Sequence, residues 1–169
     1  MEKIKITTFK TPIGEILIGS FNSKLVMVDW KWRKMRSTID KRIQKFLQAE
    51  FEEGKNEVIS KTIEQLDEYF IGNRKGFDLP IMLCGKEFQQ KVWSALLAIP
   101  YGQTSTYLKL AEKIGDSKAV RAVANANGAN AISIIIPCHR IIGSDGELVG
   151  YAGGLPAKKK LLELETKFL

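Results

Sequence analysis

The sequence predicts an α+β fold, a small N-terminal sheet with helices followed by a mostly helical half. Three observations carry this. Short runs rich in β-branched and aromatic residues stand before residue 31, and apolar residues recur at helical spacing from Ser37 onward. Between the two halves, Gly72-Asn73-Arg74-Lys75-Gly76 and Pro80 interrupt regular structure. At 169 residues the chain can hold one ordinary domain or two small ones sharing a core. The break places a boundary near residues 80–86, giving an α+β unit over 1–82 and a helical unit over 83–169.

Ile4 to Phe9, Gly14 to Phe21 and Lys24 to Trp30 read as strands, joined by turns at Thr11-Pro12-Ile13-Gly14 and Asn22-Ser23. Ser37 to Glu53 reads as a helix with Ile39, Ile43, Phe46 and Leu47 on one face. Ser60 to Phe70 reads as another, presenting Ile63, Leu66, Tyr69 and Phe70. Beyond Gly85, Phe88, Val92, Trp93, Leu96 and Leu97 form a helical stripe ended by Pro100-Tyr101-Gly102. Gln103-Thr104-Ser105 is expected to cap a helix from about Thr106 to Ile114, and Ser117 to cap one from Lys118 to about Asn127. Helix, Gly-containing turn, helix is the helix-turn-helix pattern. A last helix is expected over Ala157 to Leu169.

The formal net charge of +7 suits an anionic partner. Lys109, Lys113, Lys118, Arg121 and Arg140 face only Glu112 and Asp116 between residues 109 and 140. Lys31 to Lys45 has seven cations and one acid, Asp40, and reads as a solvated surface without assigned function. Cys84 and Cys138 are too few for a structural zinc site and make no disulfide framework, so a reducing cytosol is expected and Cys84 reads as structural. Met1-Glu2-Lys3-Ile4-Lys5-Ile6 lacks an apolar signal region, and no apolar segment approaches the roughly 20 residues of a membrane span. A cytoplasmic protein that keeps off membranes is expected.

Ile134-Ile135-Ile136-Pro137-Cys138-His139-Arg140-Ile141-Ile142 sets a cysteine beside the only histidine of the chain. Flanking β-branched residues predict a buried, extended backbone where water is scarce. A neighbouring imidazole can take a thiol proton directly or through water, which makes Cys138 a candidate nucleophile. Its competing reading is a small, inert, buried hydrophobe. In the preceding helix, Ala119, Val120, Ala122, Val123, Ala124 and Ala126 make a slim rod whose backbone can approach a groove closely. An arginine on such a rod, here Arg121, can fill the gap left by a displaced base while Lys118 and nearby amides hold phosphates; the competing reading is a small-residue helix packed tightly inside the protein.

Pro137-Cys138-His139-Arg140, within Ile-Pro-Cys-His-Arg-Ile-Ile, resembles the active-site signature of the O6-alkylguanine-DNA alkyltransferases, and the likeness runs from Phe88 to Glu165. The resemblance implies a ribonuclease H-like N-terminal sheet, a helix-turn-helix entering the minor groove, and rotation of the damaged nucleotide into a pocket beside the cysteine. It makes Tyr107 the residue that crowds the target phosphate and later gives a proton to the leaving guanine. Arg121 becomes the finger replacing the extruded base, with Ala122 beside it against DNA, and Asn130 the hinge before the active-site segment. Tyr151, Ala152 and Gly153 fall in the loop closing the guanine pocket, Val149 supplies backbone contact to the base edge, and Glu165 orients His139.

The activity that the resemblance implies is irreversible, stoichiometric transfer of the alkyl group from O6-alkylguanine to Cys138 by a monomer acting on double-stranded DNA. No metal or cofactor is expected, and O4-alkylthymine is left open as a second substrate. Ala131 and Ser133 stand where many members carry proline, Ala152 where others carry serine, and zinc ligands found in the N-terminal part of some relatives are absent. Three other classes compete. A non-enzymatic lesion binder of the alkyltransferase-like type replaces the cysteine, commonly by tryptophan. A major-groove transcription regulator would need base-reading side chains that Lys118 to Asn127 scarcely offers. A Cys-His hydrolase meets the objection that neighbours on an extended strand point to opposite sides, an objection that also bears on Cys138 and His139 here.

Overall fold

β1 (Ile4–Thr11), β2 (Gly14–Phe21) and β3 (Lys24–Trp30) form an antiparallel meander, and β4 (Phe51–Glu53) pairs parallel with β1, giving the order β3-β2-β1-β4. The structure is a computed structural model that describes residues 2–169. Asn22 and Ser23 both take positive φ, 51° and 61°, the paired left-handed conformation that lets a two-residue turn follow the strand twist. α1 (Arg36–Leu47) brings Ile39 and Ile43 into a cluster with Ile4, Val26 and Met27. α2 (Glu57–Phe70) brings Ile59, Leu66 and Tyr69 against Ile16, Ile18, Leu25 and Val28.

The second half is helical: α3 (Glu87–Leu96), α4 (Tyr107–Lys113), α5 (Val120–Gly128) and α6 (Leu155–Lys167). The indole Nε1 of Trp93 donates to the Ala126 carbonyl at 2.8 Å, tying α3 to α5. Val92, Trp93, Leu96, Val123 and Ile136 join the core cluster that begins on the N-terminal sheet, so burial runs without a gap between the halves. The open edge of β3 is covered by the end of the first half and by chain from the second, which protects that edge. Leu25 N–H donates to the Pro80 carbonyl at 2.7 Å, and Val28 N–H to that of Ala131 at 2.8 Å. The segment leading to Cys138 is thereby pinned to the sheet.

Several sequence expectations change. The helix predicted over Ser37 to Glu53 stops at Leu47, where Gln48 turns left-handed at φ 49°, and Phe51–Glu53 becomes β4 because Phe51 pairs with Ile4 across the sheet. Phe46 is accordingly exposed, as are Phe88 and Leu97 of the α3 stripe. α2 starts three residues earlier than Ser60, capped by Asn56, whose side chain accepts from Ile59 N–H at 3.0 Å. α4 is capped by Thr106 and not by the preceding triplet, and α5 begins at Val120, after Asp116 rather than Ser117 has accepted the Lys118 amide at 3.2 Å. α6 spans Leu155–Lys167, two residues earlier than expected, with Pro156 in its first turn where a missing N–H costs nothing.

The stretch Lys31 to Lys45 is not simply solvated. Arg33 and Arg36 both pair with Asp29 at 3.1 Å, and the carboxylate is fully buried. Arg33 also donates to the Gly128 carbonyl at 2.7 Å, and Arg42 donates to the carbonyls of Cys84 and Ala129 at 3.0 and 2.8 Å. These guanidiniums staple the N-terminal half to the end of α5. Planar, multi-donor arginine suits such a role better than lysine does. Among the described residues, no helix is long and apolar enough to cross a membrane.

Candidate active site

The apolar run before Cys138 is buried, but it is not a strand. Ile134 takes φ +72°, Ile136 N–H donates to the Ile132 carbonyl at 2.9 Å, and Cys138–Arg140 forms a short 3-10 turn. A β-branched residue at positive φ costs on the order of 1–3 kcal/mol and persists only where its surroundings over-determine it. Asn130, itself buried, does that. Its Oδ1 accepts from Ile132 N–H at 3.0 Å, and its Nδ2 donates to the Ile136 carbonyl at 3.0 Å and to Cys138 Sγ at 3.2 Å. The coil also removes the objection that adjacent residues must point apart, since Cys138 and His139 leave a tight turn.

Cys138 is 4 % exposed, and burial pushes its thiol up to about 11 although the Asn130 amide pulls the other way. At rest the sulfur is therefore protonated and protected from oxidation. His139 is fully buried, and that burial lowers its pKa against the opposing pull of Glu165. The imidazole is thus neutral near pH 7. Its Nε2 lies 2.7 Å from Glu165 Oε2, while Nδ1 is buried with no hydrogen-bond partner among the described residues. An ionised Glu165 must take Nε2–H, which fixes the tautomer and leaves the Nδ1 lone pair as a base.

Glu165, on α6, is 1 % exposed and so is no surface charge. Burial alone would raise its pKa, yet hydrogen bonds from His139, Arg140 and Tyr69 hold it well below the usual carboxylate range. Arg140 Nε reaches Oε1 at 2.8 Å and Nη2 reaches Oε2 at 3.0 Å, and Nη1 donates to the Ile99 carbonyl at 2.7 Å. The Tyr69 hydroxyl, brought in by α2, donates to Oε2 at 2.6 Å, and the Gly102 amide to Oε1 at 3.3 Å. Buried charge is tolerated only when satisfied this completely.

Above Cys138 lies an open cavity of about 580 Å3. Tyr107, Ala124, Asn127 and Gly128 from α4 and α5 line one side, Gly150 to Gly154 another, and Trp32 to Met35 a third. Tyr107 is half-buried; burial pushes its hydroxyl up, Asn127 beside it counters this, and Cys138 is close enough to be felt. Gly153 is required by close approach, because a Cβ there would stand 2.5 Å from the Trp30 indole. Tyr151 meets Trp30 edge-on with ring centroids 5.8 Å apart. The Tyr151 hydroxyl and Asn127 Oδ1 are buried without a partner among the described residues, polar groups of the kind that fix a ligand's orientation in such a cavity.

Of the expected site residues, the cavity brings together Tyr107, Cys138, Tyr151, Ala152 and Gly153. Asn130 holds Cys138 Sγ, and Glu165 holds the imidazole of His139, the next residue. Lys118, Arg121 and Ala122 lie outside the cavity, exposed before and on the first turn of α5. Val149 does not line it: its carbonyl accepts from Lys158 Nζ at 2.6 Å. Buried Lys158 also donates to the carbonyls of Ile141 and Gly150, clamping the loop to the segment that follows Cys138. Sequence reading missed Tyr69, Asn127 and Lys158. Lys158 opens a Lys-Lys-Lys run that looks solvated, and Tyr69 falls on an apolar helical stripe that looks like core.

Tyr69 tunes the pair. Without its hydroxyl, Glu165 Oε2 keeps donors only from Arg140 and His139 and so holds an imidazolium more firmly. Tyr101, Tyr151, Arg140 and Lys158 also face this cluster and stay unchanged. In Tyr69→Phe the His139 titration midpoint is expected to rise by about one pH unit, since a hydrogen bond to a charged group is worth about 1.5–3 kcal/mol, part of it felt at the imidazole. NMR reads this directly because the chain has one histidine. An unmoved midpoint would make Tyr69 packing alone.

Residues 87–167 match the family described as 6-O-methylguanine DNA methyltransferase, DNA binding domain, and residues 4–83 match the ribonuclease-like domain of the same family. A methylated-DNA–protein-cysteine methyltransferase of Mycobacterium leprae is 42% identical over 165 residues, covering 96% of this chain and 92% of the relative. One from Methanosarcina barkeri is 45% identical over 160 residues, 95% of this chain and 96% of the relative. Among solved structures, the Mycobacterium tuberculosis OGT in complex with DNA superposes with a TM-score of 0.84 at 38% identity, covering 97% of this chain and 94% of the other.

Proposed function

The chain belongs to the 6-O-methylguanine DNA methyltransferase family, and we propose from that premise that it repairs DNA by moving an alkyl group from guanine O6 onto its own Cys138. One observation carries the assignment of the acceptor: Cys138 Sγ lies against the cavity, held by Asn130, and next in sequence stands an imidazole whose far nitrogen is fixed on Glu165. The lesion binders that lack this cysteine have no acceptor, so Cys138 speaks for the enzyme.

Glu165 accepts Nε2–H of His139, and the Nδ1 lone pair takes the Cys138 proton through a water. With the thiol near 11 and the imidazole lowered, that transfer is uphill at rest, so the thiolate forms as attack proceeds. Sulfur attacks the alkyl carbon opposite the O6 bond. The S–C bond forms, the C–O6 bond breaks, and its electron pair passes to guanine. Tyr107 protonates the departing guanine and recovers a proton from the imidazolium through water, so the proton that left the thiol ends on the base. The thioether has no leaving group that water can displace. One molecule therefore repairs one lesion.

The partner is double-stranded DNA containing alkylated guanine, met by a monomer in the cytoplasm without metal or cofactor. Residues 1–82 form the supporting α+β domain and 83–169 the DNA-binding domain, with α4, the Gly115 turn and α5 as a helix-turn-helix laid in the minor groove. Arg121 and Ala122 occupy the outward side of α5, and Ala124, Asn127 and Gly128 lead from that helix into the cavity. A base rotated out beside Arg121 is thus delivered to Cys138, and Lys118 is placed for a phosphate. Arg121→Ala is expected to weaken binding to lesion-bearing duplex about tenfold and to slow repair with it, as measured by fluorescence anisotropy and single-turnover kinetics. Unchanged repair would remove the finger role.

Stoichiometry tests the function itself. Titrating protein with excess methylated duplex should stop at one lesion removed per protein molecule, and further duplex should restore nothing. Continued turnover would contradict suicide transfer.

A further inference from the structure

We propose that the loop between β3 and α1 is a second DNA contact, in which Trp32 packs against the nucleotide flanking the extruded one and Lys34 neutralises its phosphate. The inference rests on the reading of DNA as partner. Trp32, Arg33, Lys34 and Met35 form a lip of the cavity that ends at Cys138, and α4 and α5 contribute Tyr107, Ala124, Asn127 and Gly128. A damaged strand that sends one nucleotide into the cavity must run across its mouth, so its neighbours pass over this lip.

The composition of the lip fits that occupant. Trp32 is 77% and Met35 50% exposed, a large apolar area standing in solvent beside a functional cavity. The arginines of the stretch are engaged internally, Arg33 and Arg36 on Asp29 and Arg42 on backbone carbonyls, and the exposed Lys41 and Lys45 lie on α1 outside the cavity lining. Lys31 lies 5.1 Å over the Trp32 ring and 4.0 Å from Glu15, and the Trp32 Nε1 makes only a long 3.4 Å contact to Glu15. Lys34 is exposed on the same lip. An aromatic plane and a cation side by side are what a nucleic-acid strand engages, stacking on one and placing a phosphate on the other. Arg33, which donates to the carbonyls of both Gly128 and Asn130, fixes this loop relative to α5, so both contacts act on one strand in a set geometry.

Two exposed substitutions test it on the full chain. Single-turnover transfer, below saturation, is measured on a methylated duplex and on free O6-methylguanine base. Trp32→Ala should lose about tenfold more on the duplex than on the free base, the usual worth of one stacked nucleotide. Lys34→Ala should lower the slope of log Kd against log salt by about 0.9, one phosphate contact fewer. Equal losses on both substrates, or no loss, would overturn the Trp32 contact, and an unchanged slope would overturn that of Lys34. Wild-type protein that methylates Cys138 from neither substrate would instead strike the proposed function.

Discussion

Replacing Cys138 by alanine abolishes alkyl transfer and leaves binding to lesion-bearing duplex within about twofold of the wild type. The sulfur is the only atom the reaction consumes, and its neighbours cannot replace it. His139 is turned toward Glu165, the Tyr107 hydroxyl is pushed up by burial, and Cys84 lies in the separate cluster under α1 with its thiol raised to about 11. Removing the sulfur strands no partner, because Asn130 Nδ2 keeps the Ile136 carbonyl at 3.0 Å and Oδ1 keeps the Ile132 amide. The stability loss should be about 1 kcal/mol, the scale of a small deletion in a core. Single-turnover repair assays paired with anisotropy check both halves. Residual transfer would show a second acceptor, and lost binding would show that the thiol shapes the cavity.

Glu165→Ala carries the largest stability effect. It removes the carboxylate on which Arg140 makes two contacts, Tyr69 one and His139 one, and leaves a guanidinium buried without its counter-charge. Breaking such a pair from one side costs about 3–5 kcal/mol. Transfer should also slow by roughly 10²-fold or more, since His139 loses the acceptor that fixes its tautomer. Glu165→Gln keeps the volume and some acceptor capacity and should lie between the two, allowing the rate to be read in a folded protein.

The pH dependence has a definite sign. Glu165 is held well below its ordinary 4.5, so its stabilisation is complete above that value and is lost as pH falls toward the folded value. His139 is lowered from 6.5, so below that pH the unfolded chain binds its proton more readily and stability falls further. Both effects make the wild type acid-sensitive. Denaturation midpoints followed from pH 7 downward should fall for the wild type and stay flatter over the carboxylate window for Glu165→Gln.

The hairpins and the Cys138-His139 pair are legible because their signals are local: Asn22 suits the left-handed turn it takes, and Cys138 adjoins His139 in sequence. β4 was hidden because Phe51 becomes a strand only by pairing with Ile4, far along the chain. The Ile134 region misled for the reverse reason, since β-branched residues that favour strands are coiled here by Asn130, whose amide and carbonyl bind three positions at once. Tyr69 and Lys158 carry no local mark. Their roles exist only once α2 and α6 have been brought to the site, and the same holds for Arg33 and Arg42 across the two halves.

Transfer to Cys138 is put to its sharpest test by peptide-resolved mass spectrometry after mixing the protein with an equimolar duplex bearing one O6-methylguanine. One added methyl group is expected on the peptide containing Cys138, none on that containing Cys84, and restored guanine in the DNA. An unmodified protein still bound to the lesion would contradict transfer, and a methyl group on any other residue would contradict the site.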